Sequence, residues 1–265
     1  MTWLSVVLVG LGVADLVRSS SWPQARLVAH VTAPVVVAAL ALISGLSAWP
    51  DALALASALV GCAVWMELSR HAQRTGHRAL EALAAFAVLV VGLILFSGAA
   101  STPDGALATW LHWADLPGGT SHSPERVLLV AGLVVFNLAT ANVIVRLILL
   151  TIGALRPDQV AAPPVPDPAD RLKGGRLLGP MERLVILGLG LAGELGAAGF
   201  VIAAKGLLRF PEVQAAARGG SGGGSRSGSG SYSGGPAGID DVTEYFLVGS
   251  FVSWLIALGS LALTV

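Results

Sequence analysis

The sequence predicts an all-α, polytopic transmembrane helical bundle of about seven helices with two disordered connections. Composition and apolar periodicity carry that reading. Hydrophobic residues fill 54% of 265 positions and charged residues only 12%, about half the charge of a soluble domain, and the mean hydropathy is +0.76. Apolar runs close to the length that crosses a bilayer recur along the chain. The 16 basic and 16 acidic residues cancel, leaving no field to attract nucleic acid or acidic substrates. Nucleic acid is therefore excluded as a partner, and the lipid bilayer is the expected one. The single cysteine, Cys62, rules out an internal disulfide and any multi-cysteine metal site.

The runs cover Trp3 to Leu16, Leu27 to Trp49, Ala52 to Leu68, Leu83 to Ala99, Val127 to Leu155, Leu184 to Ala204 and Tyr245 to Val265. The first has the length of a signal peptide but lacks a basic leader and a small-residue cleavage site, so it reads as a retained helix. Residues 1–156 thus form a five-helix membrane part. Residues 157–173 carry five prolines and no apolar period, which reads as a flexible cytoplasmic linker. Residues 174–214 hold the sixth transmembrane helix and its flanks. Residues 219–236 are a Gly/Ser-rich tether too poor in apolar groups to pack, and 240–265 hold the seventh helix. Before the fifth run, Trp110, Leu111, His112, Trp113, Asp115 and Leu116 suit a short helix lying at the interface.

Basic residues are held on the cytoplasmic side of a bilayer. With seven spans, Arg18, Arg26, Arg70, Arg74, Arg78, Arg156, Arg171, Lys173, Arg176 and Arg183 fall on one side, and Arg126, Lys205, Arg209, Arg218 and Arg226 on the other. This places a multi-pass protein in a bacterial plasma (inner) membrane with the N-terminus outside and the C-terminus cytoplasmic.

Glu194 interrupts the sixth run, eleven residues from Arg183 and eleven from Lys205. On one continuous helix these three form an intramembrane polar stripe with steps of about 16 Å, which leaves the carboxyl near the bilayer centre. A carboxyl at that depth costs roughly 2.5 kcal/mol or more unless it has a partner or reaches water. Asn137, Thr140 and Asn142 in the fifth run can supply hydrogen bonds to it. Gly188, Gly190 and Gly193 match a G-x-G-x-x-G pattern, but with no preceding strand they cannot cradle a phosphate. Gly188, Ala192, Gly196, Gly199 and Ala203 instead suit close helix packing.

A second group of polar residues, Asp15, His30, Glu67, His71, Arg146 and Glu182, falls at similar cytoplasmic-side depth. Glu67 and His71 are four apart, which is compatible with a shared metal ion, although helix-end acids paired with arginines need no metal. His71, Arg74, His77 and Arg78 form a basic turn suited to anionic headgroups.

The stretch Gly175 to Leu184, with Gly199 to Lys205, Arg209-Phe210, Glu212, Glu244-Tyr245, Gly249 and Ser253, resembles the C-terminal signature of an uncharacterised family of bacterial multi-pass membrane proteins. The resemblance covers the last part of the chain apart from the tether. It implies H-x-x-x-D motifs in the first helices, similar to membrane-bound metal-dependent hydrolases, with Asp15, His30 and Glu67 at corresponding places. Leu11 and Ala63 stand where two of the histidines would be needed, so that ligand set is incomplete.

The reading that follows is a non-enzymatic accessory or assembly subunit acting through helix–helix packing, with no cofactor and no assigned catalytic or metal residue. A membrane protein partner or a homo-oligomer is implied. Two competing readings are a divergent metal-dependent hydrolase built on the Asp/His/Glu layer and a small transporter using Glu194. The balance points away from an enzyme.

Overall fold

A computed structural model describes residues 1–20, 23–114, 123–155, 175–219 and 239–264. The Pro-rich linker at 157–173 and the tether at 220–236 lie outside the described residues. The fold is all-helical. Its elements are α1 (Thr2–Arg18), α2 (Ala25–Ile43), α3 (Trp49–Thr75), α4 (Ala79–Leu95), α5 (Ala106–Ala114), α6 (Pro124–Leu138), α7 (Thr140–Thr151), α8 (Gly175–Leu191), α9 (Leu195–Gly219) and α10 (Ile239–Ala262), with a 3-10 turn at Ser97–Ala99.

α1 is apolar all round, and such a helix belongs inside a bundle. It is buried along nearly its whole length and packs chiefly on α2 and α6. Small residues set these distances. α2 turns Ala25, Ala29, Ala33, Val37 and Ala41 inward at four-residue spacing. On α6, a Cβ at Gly132 would stand 2.9 Å from the Ser5 carbonyl oxygen, so any larger residue there would push α1 away. α3 lies antiparallel to α4, where Trp65 and Phe86 meet with centroids 4.9 Å apart, and Phe86 stacks on Phe136 of α6 at 5.9 Å. These helices share one core, and Ile186, Ala198 and Ala257 form a smaller one among α8, α9 and α10.

Two apolar runs read as continuous are broken. The fifth is bent by 46° between α6 and α7, at Ala139 (φ −119°, ψ −71°). The sixth is an antiparallel hairpin. Gly193 adopts φ +83°, Gly193 N donates to Gly190 O at 3.0 Å, and Glu194 N donates to Leu189 O at 2.8 Å. This is a Schellman-type stop, in which a left-handed residue lets the next amides cap the last carbonyls. α9 then returns beside α8, and Lys205 pairs with Glu182.

The hairpin changes where the chain ends. Gly190 packs against Leu261, and Arg126 lines one cleft with Thr264, while Glu125 receives the amino group of Met1. Met1, the hairpin tip and Thr264 therefore share one end of the bundle. The expectation that the two termini lie at opposite ends fails because the sixth run reverses rather than continues.

By length and composition α3 can cross a membrane, and α6 with α7 makes a second candidate if the bent pair is one span. The remaining apolar helical stretches among the described residues, Leu27–Ile43, Ala79–Leu95, Leu195–Leu207 and Leu247–Ala262, are shorter, so seven clear spans are not found. α5 presents Trp110 and Trp113 on its exposed side, 50% and 81% exposed.

Candidate functional site: a buried polar network at the α6–α7 break

A helix break inside a packed bundle frees backbone carbonyls, and each must find a donor. At Ala139 the freed groups are met from two directions. Asn142 turns its amide back, donating Nδ2 to Leu138 O at 2.9 Å. Arg183, reaching in from α8 and only 2% exposed, donates Nε to Asn137 O at 3.1 Å. The remaining arms of the guanidinium donate to Ser253 Oγ at 2.8 Å and to Asn142 Oδ1. Asn137 in turn donates Nδ2 to Leu133 O at 2.8 Å and to Ser260 Oγ at 2.9 Å.

One cation thus joins α6, α7, α8 and α10. Its partners are all neutral acceptors, which suits the fixed fork of a guanidinium better than a lysine. On a straight helix Asn137 and Asn142 would point apart. The bend lets one contribute its carbonyl and the other its amide oxygen to the same group.

A second buried cluster adjoins the first. Asp15, on α1 and 2% exposed, lies 2.7 Å from Arg18 Nη2 and accepts from Trp65 Nε1 at 3.3 Å. Arg18 also donates Nη1 to Met66 O at 3.2 Å and Ser69 Oγ at 2.9 Å. Thr140, the first residue of α7, sits beside the Asp15 carboxylate without an aligned hydrogen bond. The buried Asn137 Oδ1 has no donor among the described residues.

The proposed polar stripe does not exist as one face of one helix. Arg183 is buried in the network, Lys205 pairs with Glu182 across the hairpin, and Glu194 is exposed at the tip. None of Asn137, Thr140 or Asn142 bonds to Glu194; Arg183 takes that place for Asn137 and Asn142.

The polar layer expected on the cytoplasmic side is similarly divided. His30 Nε2 lies 3.1 Å from Glu67 Oε1, and Arg70 donates to Glu67 Oε2 at 2.6 and 3.1 Å. Asp15 faces inward, away from that surface trio. His71 and Arg146 are exposed on α3 and α7, and Glu182 belongs to the hairpin pair. Among the described residues no three His, Cys, Asp or Glu side chains gather closely enough to hold a metal ion.

Asp51 is the polar anchor that sequence reasoning passed over. Its carboxylate, fully buried, accepts from Trp3 Nε1 at 2.7 Å, Ser101 Oγ at 2.7 Å, Ser101 N at 3.2 Å and Ala48 N at 3.2 Å. It ties α1, the first turn of α3 and the segment before α5 together. An acid just after Trp49-Pro50, in the first turn of a helix, was the available signal.

Comparison with protein-family models, curated proteins and solved structures finds no match.

Proposed function

We propose that the chain is a multi-pass integral membrane protein and a non-enzymatic accessory or assembly subunit, in which α8, α9 and α10 form a unit locked to the α6–α7 break. The observation that carries this reading is the packed environment of Arg183. All three nitrogen positions of its guanidinium serve helix-to-helix bonds, and among the described residues no group of three or more acids, histidines or cysteines gathers with it. Such a centre joins helices; it offers neither a nucleophile nor a general base.

The membrane setting is supported by the outer surface. Leu27, Val31, Leu42, Leu53, Val60, Val88, Leu95, Phe200, Leu207 and Phe251 are all more than half exposed, and exposed large apolar side chains recurring along α2, α3, α4, α9 and α10 suit contact with lipid. α1, α4 and α8 are 17 residues each, about 25 Å of helix, which is at the short end of the spanning range. With the hairpin as two crossings the bundle makes eight. Arg18, Arg70, Arg74 and Arg78 then stand at one end, while Arg126 is the Lys or Arg of the Met1 end among the described residues. By the bias of basic residues toward the cytoplasm, both Met1 and Thr264 are external.

The assembly role is supported by α9. Among the described residues it packs mainly on α8 and α10, and its Gly196, Gly199 and Gly206 have open space where a Cβ would stand. Small residues on a lipid-facing helix allow a second helix to approach closely. The occupant is another membrane helix, either of a different protein or of a second copy.

The test is native mass measurement of protein extracted from membranes in mild detergent. A mass above one 26.9 kDa chain that falls to one chain in Gly199→Leu supports assembly through α9. A single chain in both proteins at native expression levels refutes it.

A further inference from the structure

We propose that the cleft at the Met1 end of α6, α8, α9 and α10 binds the headgroup of an anionic phospholipid, with Arg126 holding the phosphate. The proposal rests on the membrane reading above. The cleft encloses about 360 Å³ and is lined by Arg126, Gly190, Leu191, Leu195, Leu261 and Thr264, a volume within the usual range of roughly 300–1,000 Å³ for small-molecule sites.

Its chemistry is divided as an amphiphile requires. Leu191, Leu195 and Leu261 give apolar walls at the last turns of α8 and α10 and the first of α9, where an acyl chain's upper methylenes would lie. Arg126 supplies the charge. Its backbone N–H donates to Ser123 Oγ at 3.2 Å, but its guanidinium has no hydrogen bond or ion pair among the described residues, because the adjacent Glu125 receives the Met1 amino group.

A guanidinium presents paired N–H donors matched to two phosphate oxygens. Thr264 Oγ1 already donates its proton to Leu261 O at 2.7 Å, so toward the cleft it can only accept, which suits a headgroup bearing hydroxyls. A phosphodiester with a polyol headgroup satisfies both groups, whereas a zwitterionic headgroup brings a cation toward Arg126. Glu194, next to Leu195 at the tip, makes no ion pair with Arg126, and the acid adjacent to Arg126, Glu125, is held by the Met1 amino group.

The experiment uses the full chain in nanodiscs of phosphatidylcholine carrying a minor fraction of phosphatidylglycerol with the same acyl chains. Lipid retained on transfer to detergent is read by native mass spectrometry. Preferential retention of phosphatidylglycerol by wild type, reduced at least tenfold in Arg126→Gln and kept in Glu194→Gln, is the expected result. Both variants alter exposed side chains, and an unchanged melting temperature in pure phosphatidylcholine confirms that they fold. Equal retention of the two lipids by wild type, or unchanged retention in Arg126→Gln, overturns the proposal. So does stabilisation by soluble glycerol phosphate to the same degree as by the lipid, which would mark a free-phosphate site. Recovery of the protein outside the membrane fraction would defeat the membrane reading itself, a result independent of Arg126.

Discussion

Arg183 is the residue on which the centre of the molecule depends, because its removal leaves several groups stranded at once. In Arg183→Leu the Asn137 carbonyl and Asn142 Oδ1 lose their donor inside the bundle. Each hydrogen bond from a charged group is worth about 1.5–3 kcal/mol, and helix-to-helix bonds in membranes fall toward the lower figure. The expected loss is on the order of 3 kcal/mol, read as a lowered melting temperature in detergent. Arg183→Lys should recover only part of it, since an ammonium cannot reproduce the three-armed fork; full recovery by lysine would show that charge alone matters.

Asp51 makes a matching case at the Met1 end. Asp51→Ala leaves Trp3 Nε1 and the Ser101 amide without an acceptor, with an expected cost of about 2 kcal/mol and faster amide exchange over residues 97–105. Unchanged exchange there would mean that the segment is held by other contacts.

At the scale of elements, the hairpin turns on one backbone conformation. Gly193 has φ +83° and nothing within 4 Å of its missing Cβ, so an added methyl meets strain without a clash. Gly193→Ala should cost about 1–2 kcal/mol. Gly196→Ala, in regular helix with open space around it, should be neutral or stabilising by up to about 1 kcal/mol. Equal melting temperatures for the two variants would contradict the left-handed stop.

The helical class and most segment positions were legible in the sequence, since hydropathy reports which stretches avoid water. The two breaks were not. Across Leu138–Thr140 and Ala192–Glu194 the apolar run continues, and hydropathy says nothing of backbone direction. The sequence did carry a signal at the second break: Gly193 followed by Glu194 is a helix stop when the acid is read as exposed rather than buried. A mid-helix carboxyl and an exposed one after a helix stop have the same local sequence, and only the positive φ of Gly193 separates them. Among site residues, His30 and Glu67 share a layer by their depth in the sequence, but their direct contact at 3.1 Å was not legible there, since the local spacing pointed to Glu67 and His71. Arg183 was marked for its spacing from Glu194, yet its true partners lie 41, 46 and 70 positions away, beyond the reach of any local pattern. Asp15 was assigned to a surface layer because helix position gives depth, whereas only packing against Trp65 and Thr140 reveals that it faces inward.

At the scale of the molecule, the hairpin resolves a tension in the charge distribution. A seven-crossing chain strands Lys205, Arg209 and Arg218 on the acidic side. Folding the sixth run back carries α9 toward the end that already holds Arg18 and Arg70, and it returns α10 so that Thr264 lies near Arg126. The same fold assembles the network, since Ser253 and Ser260 reach Arg183 and Asn137 only if α10 runs alongside α8. Topology and polar network therefore stand or fall together.

The most direct measurement is the sidedness of single cysteines, placed in a Cys62→Ala background and labelled in intact cells and in inverted vesicles with a membrane-impermeant maleimide. An eight-crossing bundle requires Asp104→Cys, Glu194→Cys and Thr264→Cys to label from one side and Arg74→Cys from the other. Protection of Glu194→Cys from both sides, with Thr264→Cys labelling together with Arg74→Cys, would restore a continuous sixth helix and contradict the fold described here.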